Sequence, residues 1–202
     1  MQKKKHSEHI ACVPSHLFRK RENGVQDFEL RGEDVVFAQR ATLEGNPEYR
    51  QILPVVVFVY DGLVWAYRRE KTSGESRLVG KVSVSAGGHI DLEDAVFEQS
   101  VLNVDLTLKQ ALERELSEEI LLTSKVKKVE VFDKVIAADI TPVDRDHFAI
   151  VNIYHLDGDG VASNEEQLKG LGFIDPKVLL DPDSGYSVEV WSQMICRFLL
   201  DK

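Results

Sequence analysis

The stretch Ala111-Leu112-Glu113-Arg114-Glu115-Leu116-Ser117-Glu118-Glu119-Ile120 constrains this chain more than any other. Leu108, Leu112, Leu116 and Ile120 recur at helical spacing, so the segment reads as a helix with one buried stripe. At about 100° per residue, Glu115, Glu118 and Glu119 share an arc of roughly 100° beside that stripe. Glu115 and Glu119 are an i,i+4 like-charge pair, an arrangement that costs a helix about 0.2–0.5 kcal/mol. Carboxylates crowded at the edge of a core suit a hard divalent cation such as Mg²⁺. An arbitrary E-x-x-E-E is more often a solvated helical face, so the surrounding residues have to decide.

Upstream lies Ser85-Ala86-Gly87-Gly88-His89-Ile90, where a glycine pair after an apolar run lets the backbone turn tightly and approach a ligand. Arg114 precedes the acids and stands one turn before Glu118, close enough to pair with it. Glycines followed by a helix bearing R-E-L-S-E-E resemble the Nudix hydrolase signature, G-x5-E-x7-R-E-U-x-E-E-x-G-U with U a bulky aliphatic residue. Gly88, Arg114, Glu115, Leu116, Glu118, Glu119 and Leu122 match it. The spacing departs from it: 25 residues separate Gly88 from Arg114 against 13 in the signature, an excess of 12. Counting forward from Gly88 puts Asp94 at the first glutamate position, counting back from Arg114 puts Leu106 there, and Glu93 fits if Gly87 starts the count. The late glycine is replaced by Leu121, which predicts a different or later helix end.

The likeness extends beyond this box. Tyr49-Arg50-Gln51-Ile52-Leu53-Pro54, Tyr67-Arg68-Arg69, Gly74-Glu75, Arg77-Leu78, Leu171-Gly172-Phe173-Ile174 and Glu189-Val190-Trp191-Ser192 resemble a bacterial Nudix subgroup with a lengthened box. Together these cover roughly residues 40–200. Residues 41–202 are therefore expected to form the Nudix-type domain, with 1–40 an extension packed on it or preceding it.

Composition bounds the function classes. The 202 residues are 43% hydrophobic, enough for a proper core, and carry a formal charge of −9 with a pI near 5.2. That balance argues against a general nucleic-acid surface. Cys12 and Cys196 are too few and too far apart to signal a zinc site or a disulfide framework. Lys3-Lys4-Lys5 is followed by no long apolar segment, and no run approaches membrane-span length, so a cytoplasmic protein is expected. Nothing orders His6, His9 and His16, which read as part of a mobile N-terminal segment.

Element signals run in a mixed order. Ile52 to Tyr60 is β-prone, Asp61-Gly62 is a hairpin turn and Leu63 to Arg68 its partner. Leu78 to Ala86 reads as a strand, and Glu93 to Phe97 as a helical turn inside an insertion at about 92–105. Thr107-Leu108-Lys109-Gln110 fits a capping box, predicting the acidic helix over about 107–122. Val126 to Ala137 and Phe148 to Leu156 read as strands flanking a loop from Asp139 to His147. Phe173-Ile174 reads as a late strand. A final helix is predicted from Ser187, with Val188, Trp191, Ile195, Phe198 and Leu199 on its apolar face. Strands on both sides of one acidic helix describe an α/β chain. The resemblance implies a Nudix-like α/β/α sandwich with a mixed β-sheet.

The resemblance further implies Mg²⁺-dependent hydrolysis, with Mn²⁺ an alternative ion, of a small-molecule diphosphate, usually a nucleoside diphosphate derivative. Glu115 and Glu119 would be direct metal ligands, Glu118 a direct or water-mediated one, and the Gly88 carbonyl would complete the site. Arg114 would orient the acids. Glu118, or a residue among Asp139, Asp144, Asp146 and His147, would be the base. Arg68, Arg69 and Arg77 are candidate phosphate contacts. No nucleic acid or membrane partner is expected, and a homodimer is compatible with the sequence. The second reading is a non-catalytic nucleotide-binding or regulatory module; an isomerase would need a positioned cysteine, and neither Cys12 nor Cys196 lies near the box.

Overall fold

The computed structural model describes residues 8–18, 23–70 and 78–202. The chain opens with β1 (His9–Pro14), β2 (Gly24–Gln26), β3 (Val36–Gln39) and the single turn α1 (Arg40–Leu43). The long hairpin β4 (Tyr49–Tyr60) and β5 (Leu63–Arg69) follows, then the short strands β6 (Val82–Ser83) and β7 (Ala86–Gly87). β8 (Phe97–Glu98) and β9 (Val101–Leu102) lead into α2 (Val104–Glu119), β10 (Ile120–Leu122) and β11 (Val126–Ala137). The remainder is α3 (Pro142–Asp146), β12 (His147–Leu156), β13 (Val161–Ser163), β14 (Leu168–Ile174), α4 (Pro176–Leu180) and α5 (Val190–Leu200). The main sheet has the strand order β14-β5-β4-β12-β11-β2, with non-sequential neighbours, so the chain is a mixed α/β fold as expected. Among the described residues no helix is long and apolar enough to cross a membrane.

The chain divides into two compact units. The first comprises Met1–Pro54, Gly88–Arg114 and Asp133–Ile150. In it β1 pairs antiparallel with β3 (Ile10 opposite Ala38) and with the start of β4 (Cys12 opposite Gln51), and β11 pairs with β2 (Val135 opposite Gln26). Its core gathers Ala11, Val13, Ile52, Ile90, Ala111, Val135, Ala137 and Phe148, with Phe18 stacked on Phe28 at 4.5 Å between ring centroids. Burying side chains of this size supplies the main stabilisation, about 1.5–3 kcal/mol for each large one.

The second unit comprises Val55–Gly87, Glu115–Phe132 and Val151–Lys202. Asp61 and Gly62 both hold positive φ, +50° and +76°, the pairing a two-residue hairpin turn requires. β5 then runs antiparallel to β4 on one side and to β14 on the other, with a register shift between Gly170 and Gly172. Trp65 and Tyr67 are buried here, their rings 5.3 Å apart, so both are core residues of this unit.

Several boundaries differ from expectation. The expected strand from Leu78 to Ala86 is broken into β6 and β7: at the break Val84 N donates to Ser192 Oγ at 3.1 Å and Ser85 N to Ser83 Oγ at 3.4 Å, while Val82 exchanges hydrogen bonds with Ser187 and Glu189 (Val82 N to Ser187 O, 2.8 Å; Glu189 N to Val82 O, 2.9 Å). That contact also holds Val188 in extended backbone, so the last helix starts at Val190, not Ser187. Glu93 lies in a 3-10 turn, Leu92–Asp94, but Phe97 begins a strand. The Asp139–His147 loop contains α3, capped by Thr141.

Candidate active site

The acidic helix α2 starts earlier than Thr107. Asn103 is its cap: its Oδ1 accepts from Leu106 N at 3.0 Å, and its carbonyl accepts from Thr107 N at 3.0 Å. Thr107 is buried inside the helix, where its Oγ1 accepts from Val96 N at 3.0 Å. The capping-box reading failed because Asn103 offers the same chemistry one turn upstream. Helix α2 also ends at Glu119 rather than near residue 122. The chain passes straight into β10, which pairs with β13 (Leu121 opposite Ala162). Asn164 takes over the terminal carbonyls, donating its N–H to Glu119 O at 2.7 Å and its Nδ2 to Glu118 O at 3.2 Å. An extended exit needs no left-handed residue, which is why Leu121 can stand where the signature has glycine.

Within the first unit, Arg114 is held by Asp94. Its Nη2 donates to Asp94 Oδ2 at 2.7 Å and its Nε to Asp94 Oδ1 at 3.0 Å, a two-pronged match of guanidinium and carboxylate. Arg114 Nη2 also donates to the His89 carbonyl at 2.9 Å and lies 3.9 Å from Asp91 Oδ2. Asp94 is only 3% exposed, and its Oδ2 also accepts from Asp91 N at 2.8 Å. Three residues could have taken the place of the first box glutamate. Asp94 is the one paired with Arg114; Leu106 and Glu93 are exposed. Five residues separate Gly88 from Asp94, as in the signature, so all 12 extra residues fall between Asp94 and Arg114. β8, β9 and the first turns of α2 absorb them.

The second unit holds the carboxylates. Glu118 is exposed, while Glu115 and Glu119 are half-buried. Burial, then repulsion from Glu115, pushes Glu119 up to about 7; Arg69 and a hydrogen bond from the Gly87 backbone oppose the shift. Gly87 has φ +140°, a conformation that favours glycine and brings its N–H to this carboxylate. Arg69 Nε donates to Glu189 Oε1 at 2.9 Å and its Nη2 to the Tyr67 hydroxyl at 3.2 Å. The Tyr67 hydroxyl in turn donates to Ser85 O at 2.9 Å. Arg69 is thus a fixed positive charge facing Glu119. Arg68 differs: its Nε is buried with no hydrogen-bond partner. Arg77 lies outside the described residues, as do Lys71, Gly74 and Glu75.

The loop proposed to supply a base is largely committed to local structure. Asp144 accepts from Thr141 N at 2.9 Å and from Thr141 Oγ1 at 2.6 Å. Asp139 pairs with Arg145 at 3.1 Å. His147 is 5% exposed and donates its Nδ1 proton to Val143 O at 2.7 Å. Glu189, Tyr67 and Gln51 lie in segments that resemble the Nudix subgroup, but none of them was expected to take part in a site. Only the R-R pair in β5 hinted that a charge there would need an acid.

Among the described residues, no three His, Cys, Asp or Glu side chains converge as a ready cage for an ion. That pattern still fits Mg²⁺, which is usually held by one or two carboxylates together with water and substrate phosphates. The crowded Glu115 and Glu119 provide such a pair, with one carboxyl desolvated and repelled by the other.

No family model matches the sequence. The chain is 29% identical over 163 residues to Protein YmaB of Bacillus subtilis strain 168, spanning 80% of this chain and 76% of that protein. Among solved structures it is similar to Tm1382, a protein provisionally named a Nudix hydrolase. That match has a TM-score of 0.71 and 22% identity over 96% of this chain and 99% of the other. DR0079 from Deinococcus radiodurans aligns with a TM-score of 0.49 and 16% identity, over 88% of this chain and 98% of that one. The chain has the Nudix fold, as the likeness to Tm1382 shows.

Proposed function

We propose that this chain is a Nudix-type pyrophosphohydrolase that uses Mg²⁺, or Mn²⁺ in its place, to cleave a small-molecule diphosphate such as a nucleoside diphosphate derivative. The observation that carries the reading is the Glu115/Glu119 pair. A carboxyl that burial and a neighbouring carboxylate push up to about 7 gains most when a cation replaces its proton. Glu115 and Glu119 would hold the ion directly and Glu118 directly or through water; the Gly88 carbonyl is retained as a ligand from its match to the signature alone. A bound ion would supply neutralisation of phosphate charge and a more acidic attacking water. Glu118, exposed at the helix surface, is the candidate to receive the proton of that water. Arg114 would act as an anchor for the helix through its bond to Asp94. Arg68, whose Nε lacks a partner, is favoured over Arg69 as a phosphate contact, since Arg69 is engaged by Glu189; Arg77 is retained from its place in the sequence.

The second reading, a nucleotide-binding module without turnover, draws on the lack of three converging acids among the described residues. A phosphate-release screen with Mg²⁺ or Mn²⁺ separates the two readings. It covers nucleotide sugars, ADP-ribose, dinucleoside polyphosphates and nucleoside triphosphates, with Glu118→Gln and Glu119→Gln as controls. Turnover lost in both variants supports the hydrolase. Tight ligand binding without metal-dependent turnover would establish the module instead.

A further inference from the structure

The first unit contains a second group of side chains with metal-ligand geometry, distinct in chemistry from the box glutamates. His89 Nε2 and His147 Nε2 face one another at 3.4 Å, and Gln51 Oε1 lies 2.8 Å from His89 Nε2. Two imidazole nitrogens on one tetrahedral Zn²⁺, each at about 2.0–2.1 Å, stand about 3.3–3.4 Å apart. The imidazole spacing already meets that requirement. Gln51 Oε1 would have to open by about half an ångström to share the ion.

Three further features favour a ligand here. His147 Nδ1 donates to the Val143 carbonyl, which leaves the neutral ring's lone pair on Nε2, facing His89. A backbone carbonyl in that place is the usual outer partner of a metal-bound histidine, fixing both tautomer and ring angle. Gln51 is 1% exposed, so packing on all sides holds its Oε1 against His89 Nε2. The two rings also meet edge to face, 5.4 Å between centroids, so their approach is set by packing. His147 is buried, whereas His89 is half-buried and offers a path to solvent.

We propose that His89, His147 and Gln51 form a binding site for a borderline divalent cation, with Zn²⁺ the natural occupant and water completing the coordination. Two imidazoles and an amide oxygen select Zn²⁺, Co²⁺ or Ni²⁺ over Mg²⁺, which prefers carboxylate and water oxygens. The site is therefore separate in ion preference from the one proposed at Glu115 and Glu119.

The test uses the full, tag-free chain stripped of metal. Zn²⁺ is titrated against a chromogenic chelator in excess Mg²⁺, and Co²⁺ is added separately to read the intense visible bands of a low-coordinate ion. One Zn²⁺ per chain is expected. Affinity should fall at least tenfold in His89→Gln and in His147→Gln, and remain unchanged in Glu119→Gln. His89 is half-buried, so His89→Gln keeps the test sharp if His147→Gln fails to fold by circular dichroism. Absence of stoichiometric Zn²⁺ binding would make the His89–His147 contact one of packing and hydrogen bonding. That result, unchanged affinity in His89→Gln, or loss of Zn²⁺ in Glu119→Gln overturns the proposal.

Discussion

Adjacent residues of α2 carry charge in two opposed ways. Arg114 is matched by Asp94 and a backbone carbonyl, with its neighbour Asp91 nearby, so each charge has a partner of opposite sign or a dipole. Glu115 and Glu119 are crowded together instead, and one is held near its titration point at neutral pH. The first arrangement stabilises a fold. The second spends stability, a common signature of a site built to bind something. A helix can thus be anchored through one residue and strained through the next, and the strained part is where ligand chemistry is expected.

The largest effect should come from Glu119→Gln. Removing a metal carboxylate is expected to lower Mg²⁺-dependent turnover by about two to four orders of magnitude. The metal-free variant should melt at the same temperature as the parent at pH 8, or higher. Full activity with the substitution in place would collapse the contrast between the two clusters.

A pH series reads the same strain without mutation. Glu119 titrates from 4.5 when unfolded to about 7 when folded, so between those values the folded chain keeps a proton the unfolded chain has lost. This contribution is fully present below pH 4.5 and disappears as pH rises through 7. Metal-free stability should therefore fall by about 3 kcal/mol from this group, and Mg²⁺ should restore more of it at pH 8 than at pH 5. Urea midpoints measured with and without Mg²⁺ decide it; a rise in metal-free stability over this range would contradict the assignment.

Asp94→Ala should behave in the opposite sense to Glu119→Gln. Taking Asp94 away from Arg114 is expected to cost about 2–3 kcal/mol by denaturant unfolding, less than for a wholly buried pair because Arg114 is partly exposed and keeps the His89 carbonyl. If stability is unchanged, Asp94 is not the anchor. The smallest effect tests the helix start: Asn103→Ala should cost about 1 kcal/mol by thermal melting. A zero effect there would return the cap to Thr107.

The local signals were read well where the chain decides locally. β11 spans the expected Val126–Ala137, and the Asp61-Gly62 turn sits between the expected strands. The acidic helix was legible from its period, yet its ends were not, since Asn103 and Asn164 act through partners outside the pattern. β6 and β7 read as one strand because the hydrogen bond that draws Val84 to Ser192, about a hundred residues away, was invisible. The N-terminal boundary near residue 40 remains a proposal; β1 and β3 of that segment pair within the first unit.

By itself, the sequence determined that this chain would place carboxylates beside an apolar helical stripe after a glycine turn. That follows from the period of a helix and the freedom of glycine, both local properties. Tertiary structure alone decided which acid meets Arg114, because the 12 added residues broke the count and only the folded path brings Asp94 to the guanidinium. It alone brought Gln51, His89 and His147 together from three distant segments, since proximity between remote residues is a property of packing.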